Sequence, residues 1–267
     1  MKLKEVMSEL AAKGSEATKR LWLKHGAKEP FFGVKIADLK VIAKKLKGEQ
    51  ALALELYATG NGDAQYLAGI LVDGAKMTRA QVQSWADQAA WRMISTAIVP
   101  VAASEHPDGL ALARGWIDSP QERVVIAGWA SLGALVSVIP DERLPLKELG
   151  ALLDRVARTL PGAPDRVRQA MNNFVICCGT YVAPLGDRAI ATARKVGKVE
   201  VDVGDTDCKI PDAESYIMKS RPAARPLPRS ARPRAVEGVR VPCATGSTPA
   251  DRNCLNPTPF QRPPAAH

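Results

Sequence analysis

Residues 49–72 read E-Q-A-L-A-L-E-L-Y-A-T-G-N-G-D-A-Q-Y-L-A-G-I-L-V. Two mostly apolar, helix-forming segments stand on either side of Thr59-Gly60-Asn61-Gly62, four residues suited to a turn. The stretch predicts one helix over 49–58, a second over 63–72, and a hairpin between them. A single hairpin cannot bury its own apolar face, so it needs neighbours on both sides.

Upstream, residues 3–12 carry apolar side chains at helical spacing and stop at Gly14. Ser15 is placed to cap a second helix through Lys24, with Leu21 and Trp22 as its buried candidates and Gly26 at its end. Pro30-Phe31-Phe32-Gly33 is a sharp connector in which the glycine permits the turn and the phenylalanines can pin it to the core. The next helix covers about 34–47, with Ile36, Leu39, Ile42, Ala43 and Leu46 on one apolar face.

Downstream, Thr78 caps a helix over 79–89. Helices over 90–103 and 107–117 follow, and Ser119-Pro120 opens another that runs to about 136. Further helical segments cover 141–160, 164 to 178 or 181, and 185–196, and Pro211-Asp212 begins a short last one ending near Lys219. Only 199–203 (V-E-V-D-V) alternates like a strand, and it is short. Helical hairpins recurring at a spacing of roughly 30–45 residues predict an all-α fold, a HEAT-like helical-repeat α-solenoid with a concave binding face, over residues 1–220.

From about Ser220 the composition changes. Residues 221–267 hold ten of the 20 prolines and eight arginines against Glu237 and Asp251. A Pro/Arg-rich segment without an aliphatic pattern cannot bury enough surface to fold, so a disordered C-terminal tail is expected. So abrupt a change also fits a frame-shifted C-terminus, which sequencing the coding DNA through codon 220 decides. The net charge of +9 is therefore concentrated: the tail carries +6 of it, and in the body the lysines crowd into residues 1–50. A basic section suits a polyanionic partner, while solvated lysines explain most such counts.

The N-terminus has no apolar segment of the signal-peptide kind and no run approaches a membrane span, so a cytoplasmic protein without a membrane partner is expected. Five cysteines, Cys177, Cys178, Cys208, Cys243 and Cys254, form no C-x-x-C pair and have no histidine near them in sequence. Reduced thiols are expected and a zinc site is not. Asp202, Asp205 and Asp207 cluster, but without the glycine and terminal glutamate of an EF-hand loop, so turn and cap roles are expected there rather than a metal.

Ser84 to Ser95, S-W-A-D-Q-A-A-W-R-M-I-S, concentrates the candidate chemistry. At helical spacing Trp85, Gln88 and Arg92 share one face, and Asp87 and Trp91 another. Trp116 and Trp129 follow in the next helices. Tryptophans at such spacing are either core packing or an aromatic wall beside a carboxylate, suited to a flat cationic ligand. Lys40, Lys44 and Lys47, at i, i+4 and i+7, form a stripe that either tracks phosphates or is simply solvated.

Six segments carry a resemblance: F-F-G-V-K-I-A-D-L-K (31–40), D-A-Q-Y-L-A (63–68), S-W-A-D-Q-A-A-W (84–91), A-G-W-A-S-L (127–132), V-R-Q-A-M-N-N-F (167–174) and G-K-V-E-V-D-V-G-D-T-D-C-K-I-P-D-A (197–213). Through them the chain resembles the AlkD-like DNA alkylation repair family, HEAT-like-repeat DNA glycosylases. The last two segments look like a particular divergent branch. The resemblance implies a monomer acting on alkylated duplex DNA and excising cationic N3- or N7-alkylated purines, with no metal or organic cofactor. The positive charge makes the base a good leaving group, and a carboxylate stabilises the oxocarbenium character left on the sugar.

In that family a tryptophan is followed four positions later by the catalytic aspartate. With Trp85 on that tryptophan, Ala89 stands where the aspartate would be. The nearest carboxylate, Asp87, lies two residues earlier and about 160° away around a helix. The resemblance therefore implies Asp87 as the catalytic candidate, with Trp85, Trp91 and Trp129 lining the lesion. Arg123 and the three lysines would hold phosphates, and Asn173 or Phe174 takes the place of a second family tryptophan. The alternatives are a catalytically silent HEAT-repeat module binding DNA structure and a scaffold for a protein partner.

Overall fold

A computed structural model describes residues 1–220 apart from 205 and 207. The tail, 221–267, lies outside the described residues, as do Asp205 and Asp207 of the acidic cluster. Among the described residues the regular structure is helical: α1 (Leu3–Lys13), α2 (Glu16–Lys24), α3 (Ile36–Lys45), α4 (Gln50–Ala58), α5 (Gly62–Leu71), α6 (Arg79–Gln88), α7 (Val99–Glu105), α8 (Gly109–Trp116), α9 (Glu122–Val138), α10 (Leu146–Thr159), α11 (Asp165–Tyr181), α12 (Gly186–Val196) and α13 (Ala213–Ser220). They stack as helical pairs, α4 on α5, α8 on α9 and α11 on α12, in a HEAT-like solenoid.

The hairpin of α4 and α5 forms where the sequence places it. Asn61 caps α5, its side chain accepting from the Asp63 and Ala64 amides. Ser15 caps α2 through the Thr18 amide, and Thr78 caps α6 through the Gln81 amide. Gly33 sits at φ +77°, where a Cβ would come within 2.7 Å of the Lys19 nitrogen, so the connector lies directly against α2.

Three predicted elements differ. The helix expected over 90–103 opens as a π-helical turn, Ile94–Ile98, and only then becomes α7. Pro100 lacks an amide proton and its ring crowds the carbonyl four residues back, so the backbone widens there. Ser119-Pro120 does not start α9; the Ser119 hydroxyl accepts from the Gln121 amide in a turn, and the helix begins at Glu122. Residues 199–203 are extended but form no strand, because no partner strand lies beside them.

Two apolar cores divide the molecule. The first gathers α1 to α7 around Leu10, Ile42, Leu56, Leu67 and Ile94. The second gathers α10 to α13 around Leu153, Phe174, Cys178 and Ile217. Helix α9 belongs to both: Val124 and Ala127 enter the first core, Ile126, Trp129 and Leu132 the second. The last helix docks closely, since a Cβ on Gly179 of α11 would meet Ile217 of α13 at 2.5 Å. Among the described residues no single helix is long and apolar enough to cross a membrane.

Candidate nucleic-acid interface

Helix α6 stops because side chains from the preceding hairpin take over its last hydrogen bonds. The Tyr57 hydroxyl donates to the Trp85 carbonyl at 2.6 Å. Gln65, fully buried, donates through Nε2 to the Gln88 carbonyl at 2.8 Å and accepts from the Ala90 amide at 2.8 Å. With Gln65 standing in for the next helical turn, residues 89–91 leave the helix. The helical faces expected to join Trp85 to Arg92 and Asp87 to Trp91 therefore do not exist.

The aromatic wall is core. Trp85 stacks on Tyr57 with ring centroids 4.0 Å apart and planes 6° from parallel. Trp129 packs against Phe174 at 5.4 Å, and the Arg155 guanidinium lies 5.8 Å from its ring. Trp91 meets Trp22 edge-on at 5.4 Å and is 8% exposed, the most accessible of the three. Burial and ring packing account for all three, so none of them stands free to line a lesion.

Asp87 is half-buried on α6 and accepts from Gln83 Nε2 at 3.0 Å. Gln83 Oε1 in turn accepts from Trp116 Nε1 at 2.7 Å, so the carboxylate belongs to a network running to α8. Ala89, the position implied for the catalytic carboxylate, is a buried alanine at the end of α6.

The remaining candidates are dispersed. Lys40 is half-buried and Lys44 exposed on α3, while Lys47 lies beyond the end of that helix. Lys45, which the stripe left out, pairs with Glu9 at 2.8 Å. Arg123 is exposed in the first turn of α9, its Nη2 donating to Gln121 Oε1 at 2.8 Å. Asn173 is half-buried on α11, and its Oδ1 has no hydrogen-bond partner.

A cluster that the sequence did not single out stands at another place. His25, at the C-terminal end of α2, is buried. Its imidazole is held below its ordinary pKa by desolvation first, then by the positive charges of Arg92 and Arg166. Arg92 lies between Trp91 and the π turn, and Arg166 lies in the first turn of α11, bonded to Gln169 Oε1 at 3.1 Å. Cys208 closes the group from the segment after α12, its Sγ 3.9 Å from His25 Nδ1. Three distant parts of the chain thus bring cationic side chains together around one buried, neutral imidazole. Such an arrangement suits an anion with spaced charges, of which a nucleic-acid backbone is the obvious case. Arg92 was visible inside the quoted 84–95 stretch; nothing local in the sequence ties it to His25 or Arg166.

A family model described as DNA alkylation repair enzyme matches residues 6–216. The chain is 35% identical over 220 residues to the uncharacterized protein Lin0241 of Listeria innocua serovar 6a, and 33% identical to Lmo0209 of Listeria monocytogenes serovar 1/2a. Each match covers 80% of this chain and 95% of the relative. A solved structure, described as a new family of proteins related to the HEAT-like repeat DNA glycosylases with affinity for branched DNA structures, superposes with a TM-score of 0.76 at 37% identity. That match covers 85% of this chain and 96% of the other. With the helical stack, the six sequence segments and the matched span in agreement, this chain belongs to the DNA alkylation repair enzyme family.

Proposed function

We propose that the protein binds DNA through its phosphate backbone at the cluster of His25, Arg92 and Arg166, prefers branched structures to plain duplex, and does not excise bases. The observation that carries this reading is the convergence of Arg92 and Arg166 on the buried His25. The positions a glycosylase would use are an alanine at 89 and core tryptophans at 85 and 129. The branched-DNA affinity described for the structural neighbour supports the preference.

The test is fluorescence anisotropy with a four-way junction and a linear duplex of equal length across a salt series. The expected result is tighter junction binding, with log K falling linearly in log salt by about 0.9 per phosphate neutralised. Binding indifferent to salt would replace the DNA reading with that of a protein scaffold.

Family membership supports a second reading, excision of alkylated purines from duplex DNA with Asp87 as the electrostatic carboxylate. Release of 3-methyladenine or 7-methylguanine from N-methylated duplex above the spontaneous rate, abolished in Asp87→Asn with binding kept, would establish it in place of the silent module.

A further inference from the structure

Residues 197–212, between α12 and α13, leave the C-terminal end of the solenoid, reach the first hairpin and return. Four contacts trace the path. The Asp202 amide donates to Asp165 Oδ2 at the start of α11, at 2.9 Å. Gly204 lies against the end of α2, where a Cβ would stand 3.5 Å from the Lys24 carbonyl oxygen. Cys208 meets His25. The Pro211 carbonyl then accepts from Asn172 Nδ2, back on α11, at 3.0 Å.

Only one residue separates Asp202 from Gly204, so the chain between their Cα atoms spans at most about 7 Å. With the two contacts added, the start of α11 and the end of α2 lie no more than roughly 16 Å apart. A B-form duplex is wider than this, because its two grooves are about 8.5 and 7.5 Å deep and the base pair lies between them. The strap itself fills what space there is. The position of Arg166 near enough to act on His25 reports the same closeness.

We infer that this strap, anchored on Asp165 and Asn172, is the specificity element of the protein: it bars a continuous duplex from the gap between α2 and α11. Duplex DNA enters only when the strap lifts. A branch point, whose arms diverge, presents phosphates to Arg92 and Arg166 from the rim without threading the gap. The inference rests on the DNA-binding reading and adds the element that sets its preference.

The experiment compares wild type with the double variant Asp165→Ala/Asn172→Ala as full chains. Junction and linear-duplex Kd are measured at one salt concentration. Cys208 labelling by iodoacetamide, mapped by peptide mass, reports whether the strap has loosened. Cys177 and Cys178 are internal controls, since both are buried and burial pushes the Cys177 thiol up to about 12. The expected result is faster Cys208 labelling and a junction-to-duplex preference that drops at least five-fold, through tighter duplex binding. A second variant, His25→Cys, oxidised to link position 25 to Cys208, fixes the strap shut; it should keep junction binding and weaken duplex binding further. A preference unchanged in the loosened variant, or a linked strap that admits duplex as before, overturns the inference while leaving the DNA reading intact. Wild type that binds neither DNA overturns the DNA reading, and the strap's role falls with it.

Discussion

Two buried polar centres lie close together in the sequence of folding events and differ in kind. At the first, Asp63 and Gln65 of α5 use their hydrogen-bonding capacity on backbone. Asp63 accepts from the Phe32, Gly33 and Val34 amides at 2.6, 2.9 and 3.2 Å, and Gln65 closes the end of α6. At the second, the charges that bear on the buried His25 are both positive. A centre whose bonds are spent on the chain's own backbone holds the fold. A centre that gathers like charges costs stability, and is retained when something outside the chain neutralises it.

The comparison breaks most readily at Asp63. Asp63→Ala strands three backbone amides and should lower the unfolding free energy by about 3 kcal/mol or more, measured by urea denaturation. Gln65→Ala should cost about 2 kcal/mol in the same measurement, since it opens the end of α6. Neither should change the salt slope of DNA binding in whatever fraction remains folded. A small loss at Asp63 would show that the connector is held by Phe31 and the cis Glu29–Pro30 turn region rather than by the carboxylate.

The opposite pattern is expected at the second centre. Arg92→Ala and Arg166→Ala should each weaken junction binding several-fold and reduce the salt slope by about 0.9, with a far smaller effect on stability than Asp63→Ala. His25 sharpens the contrast through pH. Its folded pKa lies below the ordinary 6.5, so the unfolded chain takes up the proton first. The stability this represents is complete above about pH 6.5 and is lost as pH falls through that value, by no more than about 1.4 kcal/mol per pH unit. Thermal melts of His25→Asn between pH 7.5 and 5.5 should lack that component. The smallest effect belongs to Asp87→Ala, which removes one side-chain hydrogen bond and should cost about 1 kcal/mol or less without altering junction binding.

Much of the fold was legible because it is written locally. Caps at Ser15, Asn61 and Thr78 and the turn at Thr59–Gly62 are decided within a few residues, and they form as expected. The end of α6 was not legible, since it is set by Gln65, more than twenty residues upstream. Periodicity therefore ran the helix on through Arg92 and put Trp85 and Arg92 on a face that does not exist. Tryptophan spacing says which side chains travel together but not whether their side looks inward, and here it does for Trp85 and Trp129. The His25 cluster depends on superhelical curvature bringing residues 25, 92 and 166 together, a long-range outcome that no local pattern carries.

Helix α9 has a consequence for how the molecule comes apart. Repeat arrays commonly melt from an end, one unit at a time, because each unit leans only on its neighbours. Here a single helix contributes side chains to both apolar cores, so neither core can dissolve without stripping one flank of the other's spine. The solenoid should then lose its structure in one concerted step, and a truncation on either side of α9 should leave no stable half.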